Sequence, residues 1–220
     1  MKRILLILCL LASSALSVFA QLKSSPITRA DSLRGNYGPL KSCYDISYYH
    51  LDIKLDIDNK AISGSNEIQF TATQNFKRLQ VDLFQNLSID KIVYKGTNIP
   101  FEREFNAVFV SFPQEIKKGN RESFTVFYHG NPNIAHNPPW DGGFIFKKDT
   151  EGNPWVAVAC QGFGASSWWP NKDHMYDEAM MREAFADYDI IDLRTYEAEI
   201  DEGTAHKGMS GLLGMTARKR

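Results

Sequence analysis

Cysteine is scarce in this chain of 220 residues: there are three, Cys9, Cys43 and Cys160. Cys9 falls in an apolar N-terminal run, so a processed chain keeps only Cys43 and Cys160. Neither has the close Cys or His neighbours that a zinc site needs. Pairing the two in an oxidising compartment would close a long loop. Two buried free thiols is the favoured reading, because cysteine is among the most buried residue types. A basic excess is also missing. The formal net charge is −1, which removes the field that a nucleic-acid partner requires. Outside residues 1–20 no apolar run approaches the ~20 residues of a membrane span. With 43% apolar and 23% charged residues, the chain has the composition of a soluble globular protein. Wholesale disorder, a collagen-like repeat and a polytopic membrane protein are excluded.

Hydrophobicity concentrates at the N-terminus. Lys2 and Arg3 precede an unbroken apolar run over residues 4–12, and small residues then lead to Val18-Phe19-Ala20. This is the layout of a secretory signal peptide with Ala20 at the cleavage point. Ser13, Ser14 and Ser17 weaken the alternative of a membrane anchor, and Leu8 sits where a lipidated cysteine needs a small residue before it. Residues 1–20 are therefore expected to direct export and be removed. The product would be secreted or periplasmic, with no membrane attachment after cleavage. Residues 21–42 are polar, punctuated by Gly, Pro and Ser, and lack a hydrophobic period, which predicts an extended leader.

The pattern then changes. Tyr49, Leu51, Ile53, Leu55 and Ile57 alternate with His50, Asp52, Lys54, Asp56 and Asp58. Period two marks a strand with one dry face and one wet face. Asp58-Asn59-Lys60 supplies turn chemistry, and Ile62, Ile68 and Phe70 alternate with Ser63, Glu67 and Gln69 to complete a long hairpin. Shorter alternations follow. Leu79, Val81 and Leu83 interleave with Arg78, Gln80 and Asp82, and a Lys95-Gly96-Thr97 turn separates two more apolar stretches. Val108, Val110 and Phe112 alternate, as do Phe124, Val126 and Tyr128. No helical period interrupts residues 44–130, so the fold class is mainly β, a large antiparallel domain. His50 and His129 read as ordinary strand residues.

From residue 131 loop chemistry takes over, with Asn131-Pro132-Asn133 and Asn137-Pro138-Pro139-Trp140-Asp141-Gly142-Gly143. A hairpin is predicted over residues 144–147 and 155–159, turning at Asp149-Thr150-Glu151-Gly152. Next comes the densest motif in the chain: Cys160-Gln161-Gly162-Phe163-Gly164-Ala165-Ser166-Ser167-Trp168-Trp169-Pro170-Asn171-Lys172-Asp173-His174. Gly162 and Gly164 would let backbone approach a ligand closely. Adjacent tryptophans are expected to anchor the loop to a core or an interdomain surface. Asp173, His174 and Asp177 bring carboxylate and imidazole donors close together, a weak metal signal.

This passage resembles the N-terminal β domain of the aminopeptidase N-like zinc metallopeptidases, the family that includes leukotriene hydrolase. The resemblance rests on Asp141-Gly142-Gly143-Phe144, Gly152-Asn153-Pro154-Trp155, residues 160–166 and residues 168–174. The Tyr44-Asp45-Ile46 opening of the hairpin is similar too. It implies a saddle-shaped or sandwich-like domain over residues 43–178 that packs against a zinc catalytic domain. It also implies a Gln or Glu, nine places before the motif's proline, that helps bind a peptide's free α-amine. Nine back from Pro170 is Gln161. The resemblance thus gives Gln161, Gly162, Gly164 and Ala165 as substrate-binding residues. A side-chain amide oxygen is a sound acceptor for an ammonium group.

The same resemblance sharpens what is absent. Zinc catalysis in that family uses His-Glu-x-x-His, where two His one helical turn apart hold the metal and the Glu acts as base. None of His50, His129, His136, His174 and His206 is followed by Glu or paired four residues on, and the family's Gly-x-Met-Glu-Asn segment does not occur. Zinc belongs to the full-length family, and none is expected to be bound by this chain's own residues. The expected partners are a peptide's N-terminus and the missing catalytic domain. Residues 179–220 do not resemble the family. They are expected to form an atypical tail, starting with a short helix over residues 179–187, from a shifted reading frame or a fusion. The alternative function is a non-catalytic secreted β-sandwich that binds carbohydrate or protein, with Trp140, Trp155, Trp168 and Trp169 as stacking faces.

Overall fold

A computed structural model describes residues 28–138, 140–160, 162–173, 178–201 and 207–220. The signal peptide expected over residues 1–20, and the start of the leader, lie outside the described residues. Among the described residues no helix is long and apolar enough to cross a membrane.

The structure is mainly β and antiparallel, and it is not a closed barrel. Strand β1 (Tyr44–Asp56) folds back as β2 (Ala61–Ala72) with the register Leu55↔Ile62 and Tyr49↔Ile68. The Asp56 carboxylate accepts the Asn59 backbone N–H at 3.0 Å and closes the turn. Then follow β3 (Phe76–Asp82), β4 (Leu87–Tyr94), β5 (Thr97–Ile99), β6 (Phe101–Glu104), β7 (Ala107–Ile116) and β8 (Arg121–Gly130). They form a five-stranded sheet in the order β1-β2-β8-β4-β5 and a three-stranded sheet in the order β3-β7-β6. Between β4 and β5, Lys95 and Gly96 both take positive φ, 49° and 78°. That conformation suits the tight twist of a two-residue hairpin turn.

Period two in the sequence becomes burial in the structure. Ile62, Ile68 and Phe70 of β2, Leu79 and Val81 of β3, Val108 and Val110 of β7, and Phe124 and Val126 of β8 are all buried in one cluster. At its centre the Phe112 ring meets those of Phe70, Phe76, Tyr94 and Phe124 at centroid distances of 6.2, 5.9, 5.0 and 5.9 Å, all edge-on. Edge-to-face contact suits the ring quadrupole, and burying each ring contributes roughly 2–3 kcal/mol. The wet faces are less regular. β1 is the outermost strand of its sheet, and Leu51 and Leu55 on its apolar side, with Ile57 in the turn that follows, remain 37%, 38% and 39% exposed.

The leader differs from its expectation. Residues 21–42 read as extended, yet helices α1 (Arg29–Gly35) and α2 (Pro39–Ser42) form within them. Thr28 caps α1, accepting from the Asp31 backbone N–H while the Asp31 carboxylate accepts from the Thr28 N–H. This reciprocal box satisfies donors that a short helix would otherwise leave bare. Pro39 at the first turn starts α2. A single apolar residue, Leu33, anchors α1 against Ala107 and Phe109 on the outer face of β7, too little to give a legible period.

Beyond β8 come the expected hairpin, β9 (Gly143–Lys148) and β10 (Pro154–Ala159), and a 3₁₀ turn over Ala165–Ser167. In the tail, α3 (Glu178–Ala184) falls where a short helix is predicted. After it β11 (Tyr188–Asp201) and β12 (Lys207–Lys219) pair as an antiparallel ribbon, which was not expected of the tail although Tyr196, Ala198 and Ile200 alternate with Glu197, Glu199 and Asp201. A register shift between Ile190 and Asp192 interrupts the period only at the start of β11.

Candidate functional site

The loop that follows β10 is built around glycine geometry and an internal carboxylate. The backbone N–H groups of Phe163 and Gly164 both donate to the Cys160 carbonyl, at 3.1 and 2.9 Å. Gly162 has φ +68° and Gly164 φ +70°, a region that disfavours a Cβ. Their surroundings differ. A Cβ on Gly162 would meet nothing within 4 Å, whereas one on Gly164 would lie 2.8 Å from an Asp173 carboxylate oxygen. Gly164 therefore makes room for Asp173, and Gly162 faces open space. The Asp173 carboxylate also accepts from Ser166 Oγ at 2.6 Å, which ties the 3₁₀ turn to the end of the loop.

Beneath the loop lies a buried polar network. Lys41 and Asp82 form an ion pair at 2.7 Å with side-chain exposures of 1% and 2%. Lys41 Nζ also donates to the Arg34 carbonyl at 2.9 Å and to the Asp173 carbonyl. Asp82 accepts from the Asp173 backbone N–H at 3.1 Å and from Gln80 Nε2 at 2.9 Å. Asp82 and Asn171 exchange backbone bonds of 2.7 and 3.0 Å, a strand-like bridge between β3 and the loop. Burial pushes the Asp82 carboxyl up to about 6, against the pull of the Lys41 ammonium. Even so, the acid is mainly ionised at neutral pH. Gln80 and Asp82 occupy the polar positions of β3, which a half-buried strand shows to water, but here the leader covers them.

The following residues are fastened just as firmly. The Pro170 carbonyl accepts from Asn66 Nδ2 at 2.7 Å. Lys172 Nζ donates to the Tyr44 carbonyl at 2.7 Å and the Tyr37 hydroxyl at 3.0 Å, and lies over both rings. Burial lowers the Lys172 pKa. Trp168 and Trp169 pack edge-on at 4.0 Å, and Trp168 meets Phe144 at 6.0 Å, so the pair anchors the loop to the core. Trp140 and Trp155 are exposed.

The sequence-derived site residues divide accordingly. Gly162, Gly164 and Ala165 share one turn, whose Ala165 carbonyl accepts from the Trp168 and Trp169 N–H groups. Gln161 lies outside the described residues, as do His174 and Asp177. Cys43 is buried and Cys160 exposed, both as free thiols, and burial raises the Cys43 thiol to about 11. Arg34, Lys41 and Asp82 escaped the sequence reading. For Arg34 and Lys41 the signal was the Thr28-x-x-Asp31 box and Pro39, which mark the leader as helical. Among the described residues no three His, Cys, Asp or Glu side chains gather as a metal ion needs. Those residues do not fit a zinc ion.

No family model and no curated protein matches the chain. Among solved structures it is similar to an M1 zinc metallopeptidase from Deinococcus radiodurans, at 15% identity over 78% of this chain and 38% of that one, with a TM-score of 0.45. A mutant of that enzyme bound to a Tyr-Ser-Ala substrate is similar at 15% identity over 78% and 39%, TM-score 0.44. Yeast LTA4 hydrolase in complex with bestatin is similar at 13% identity over 91% and 32%, TM-score 0.47. The chain spans well under half the length of each. Likeness at this level is silent on chemistry.

Proposed function

We propose that this chain is the N-terminal β domain of an exported aminopeptidase N-like zinc metallopeptidase, and that its loop at residues 160–173 flanks the place where a peptide's free amine is held. The observation that carries the reading is the loop itself: Gly162 open to solvent at φ +68°, beside a turn locked from below by Asp173, Asp82 and Lys41. A recognition loop gains from such rigidity, because a preformed acceptor loses less entropy when it binds. Gln161, next to Gly162 in the chain, supplies an amide oxygen for the ammonium. Peptide hydrolysis needs a metal centre from a catalytic domain, since this chain has no His-Glu-x-x-His.

Calorimetry with a tripeptide amide and its N-acetylated twin tests the binding. The free-amine peptide is expected to bind ~10-fold or more tighter, the worth of one charge-assisted hydrogen bond. Gln161→Ala is expected to erase that preference. Equal affinities for both peptides would overturn the proposal. For export, N-terminal sequencing of the mature protein is expected to start at Gln21.

A further inference from the structure

We infer that Arg34, in the last turn of α1, is a positioning residue for the loop at residues 160–173. The inference rests in part on the peptide-binding reading above. Arg34 Nη2 donates to the Gly162 carbonyl at 2.7 Å, across 128 residues of sequence. Its Nε lies 4.0 Å from the Asp173 carboxylate, and its guanidinium sits 5.8 Å from the centre of the Phe84 ring. Phe84 in turn packs on Phe163, 5.3 Å away, and its backbone N–H donates to the Ser166 carbonyl at 2.9 Å. One side chain therefore grips the loop at its glycine turn, at its closing carboxylate and, through Phe84, at its aromatic residue.

The grip fixes the residue adjoining Gln161. With the Gly162 carbonyl held by Arg34 and the Phe163 and Gly164 N–H groups held by the Cys160 carbonyl, the turn is bonded on both sides. Glycine alone would leave this segment free to rotate, so an outside anchor is what turns a permissive sequence into a set geometry. Lys41 supports the far end of the loop from within the core, where its loss would compromise folding. Arg34 works from the rim: its side chain is 33% exposed, and removing it opens no buried charge pair. α1 itself stays fixed through Leu33 and the Thr28 box.

Arg34→Ala and Arg34→Lys separate positioning from general stability. Amide hydrogen exchange at Phe163 and Gly164 is expected to quicken ~10-fold in Arg34→Ala, as for any locally opened segment, with core amides of β2 and β8 unchanged. Arg34→Lys keeps one cationic donor and is expected to restore most of the protection. The ratio of free-amine to N-acetyl tripeptide affinity is expected to drop ~10-fold in Arg34→Ala and recover in the lysine variant, because small misplacements of a binding group are costly. Unchanged exchange at these two amides would overturn the inference, whatever the peptides do. So would an unchanged affinity ratio in Arg34→Ala where the wild type shows a preference. Faster exchange rescued by lysine, in a protein that never prefers the free amine, would uphold the anchor and remove only the function proposed above.

Discussion

Lys41 has surrendered almost all its hydration, and its ammonium is held by one carboxylate and two backbone carbonyls. A buried pair of this kind adds little net stability, but stripping one partner leaves an uncompensated charge. Lys41→Met is therefore expected to lose about 3–5 kcal/mol in urea denaturation, and adding Asp82→Leu should return much of that loss. Asp82 also gives the fold a pH dependence. Its folded pKa of about 6 stands above the ordinary carboxyl value, so the folded state binds the proton more tightly than the unfolded chain. The associated stabilisation is complete below the unfolded pKa and fades as pH rises through about 6. Urea midpoints measured from pH 4 to 7 should fall for the wild type relative to Asp82→Asn. A relative rise over that range would contradict the sign.

Among the elements, the strands of the two main sheets were legible because each residue's position encodes its face. Ile62, Ile68 and Phe70 announce β2 without help from any other segment. The leader was not legible: α1 has one apolar anchor, Leu33, and reads as polar chain until β7 offers a surface for it. β11 was only partly legible: its register shift breaks the period between Ile190 and Asp192, while Tyr196, Ala198 and Ile200 keep theirs. The glycine loop was half legible. Two glycines in three residues marked a turn, but their different duties depend on Asp173 arriving from further along the chain. Gly162→Ala is expected to cost about 1 kcal/mol, the strain of a left-handed residue with open space around it. Gly164→Ala adds a collision with the Asp173 carboxylate and should cost at least about 2–3 kcal/mol. Thermal melts of the two variants would check the order, and equal losses would show that Asp173 yields freely.

Across the whole molecule, the apolar side of β1 is covered unevenly. Tyr49 and Ile53 pack against the core, whereas Leu51 and Leu55, and Ile57 in the turn just beyond, stay more than a third exposed along an outermost strand. An apolar edge with unpaired backbone groups invites pairing with another chain. Self-association at high concentration is the expected behaviour, and Leu55→Lys should reduce it by placing a charge on that edge. Light scattering across a concentration series would decide, and a wild type that stays monomeric throughout would refute the expectation.

Taken by itself, the sequence determined most of the strands and their turns, because alternation and turn chemistry are written within a few neighbouring residues. Only tertiary structure decided which polar side chains are buried and what holds the loop. Arg34 meets Gly162 across 128 residues and Lys41 meets Asp173 across 132. No local period can encode such a meeting. It exists because the fold brings the leader and the loop together beside β3, where the buried Lys41 has little alternative to its protein partners and Arg34 closes over the rim.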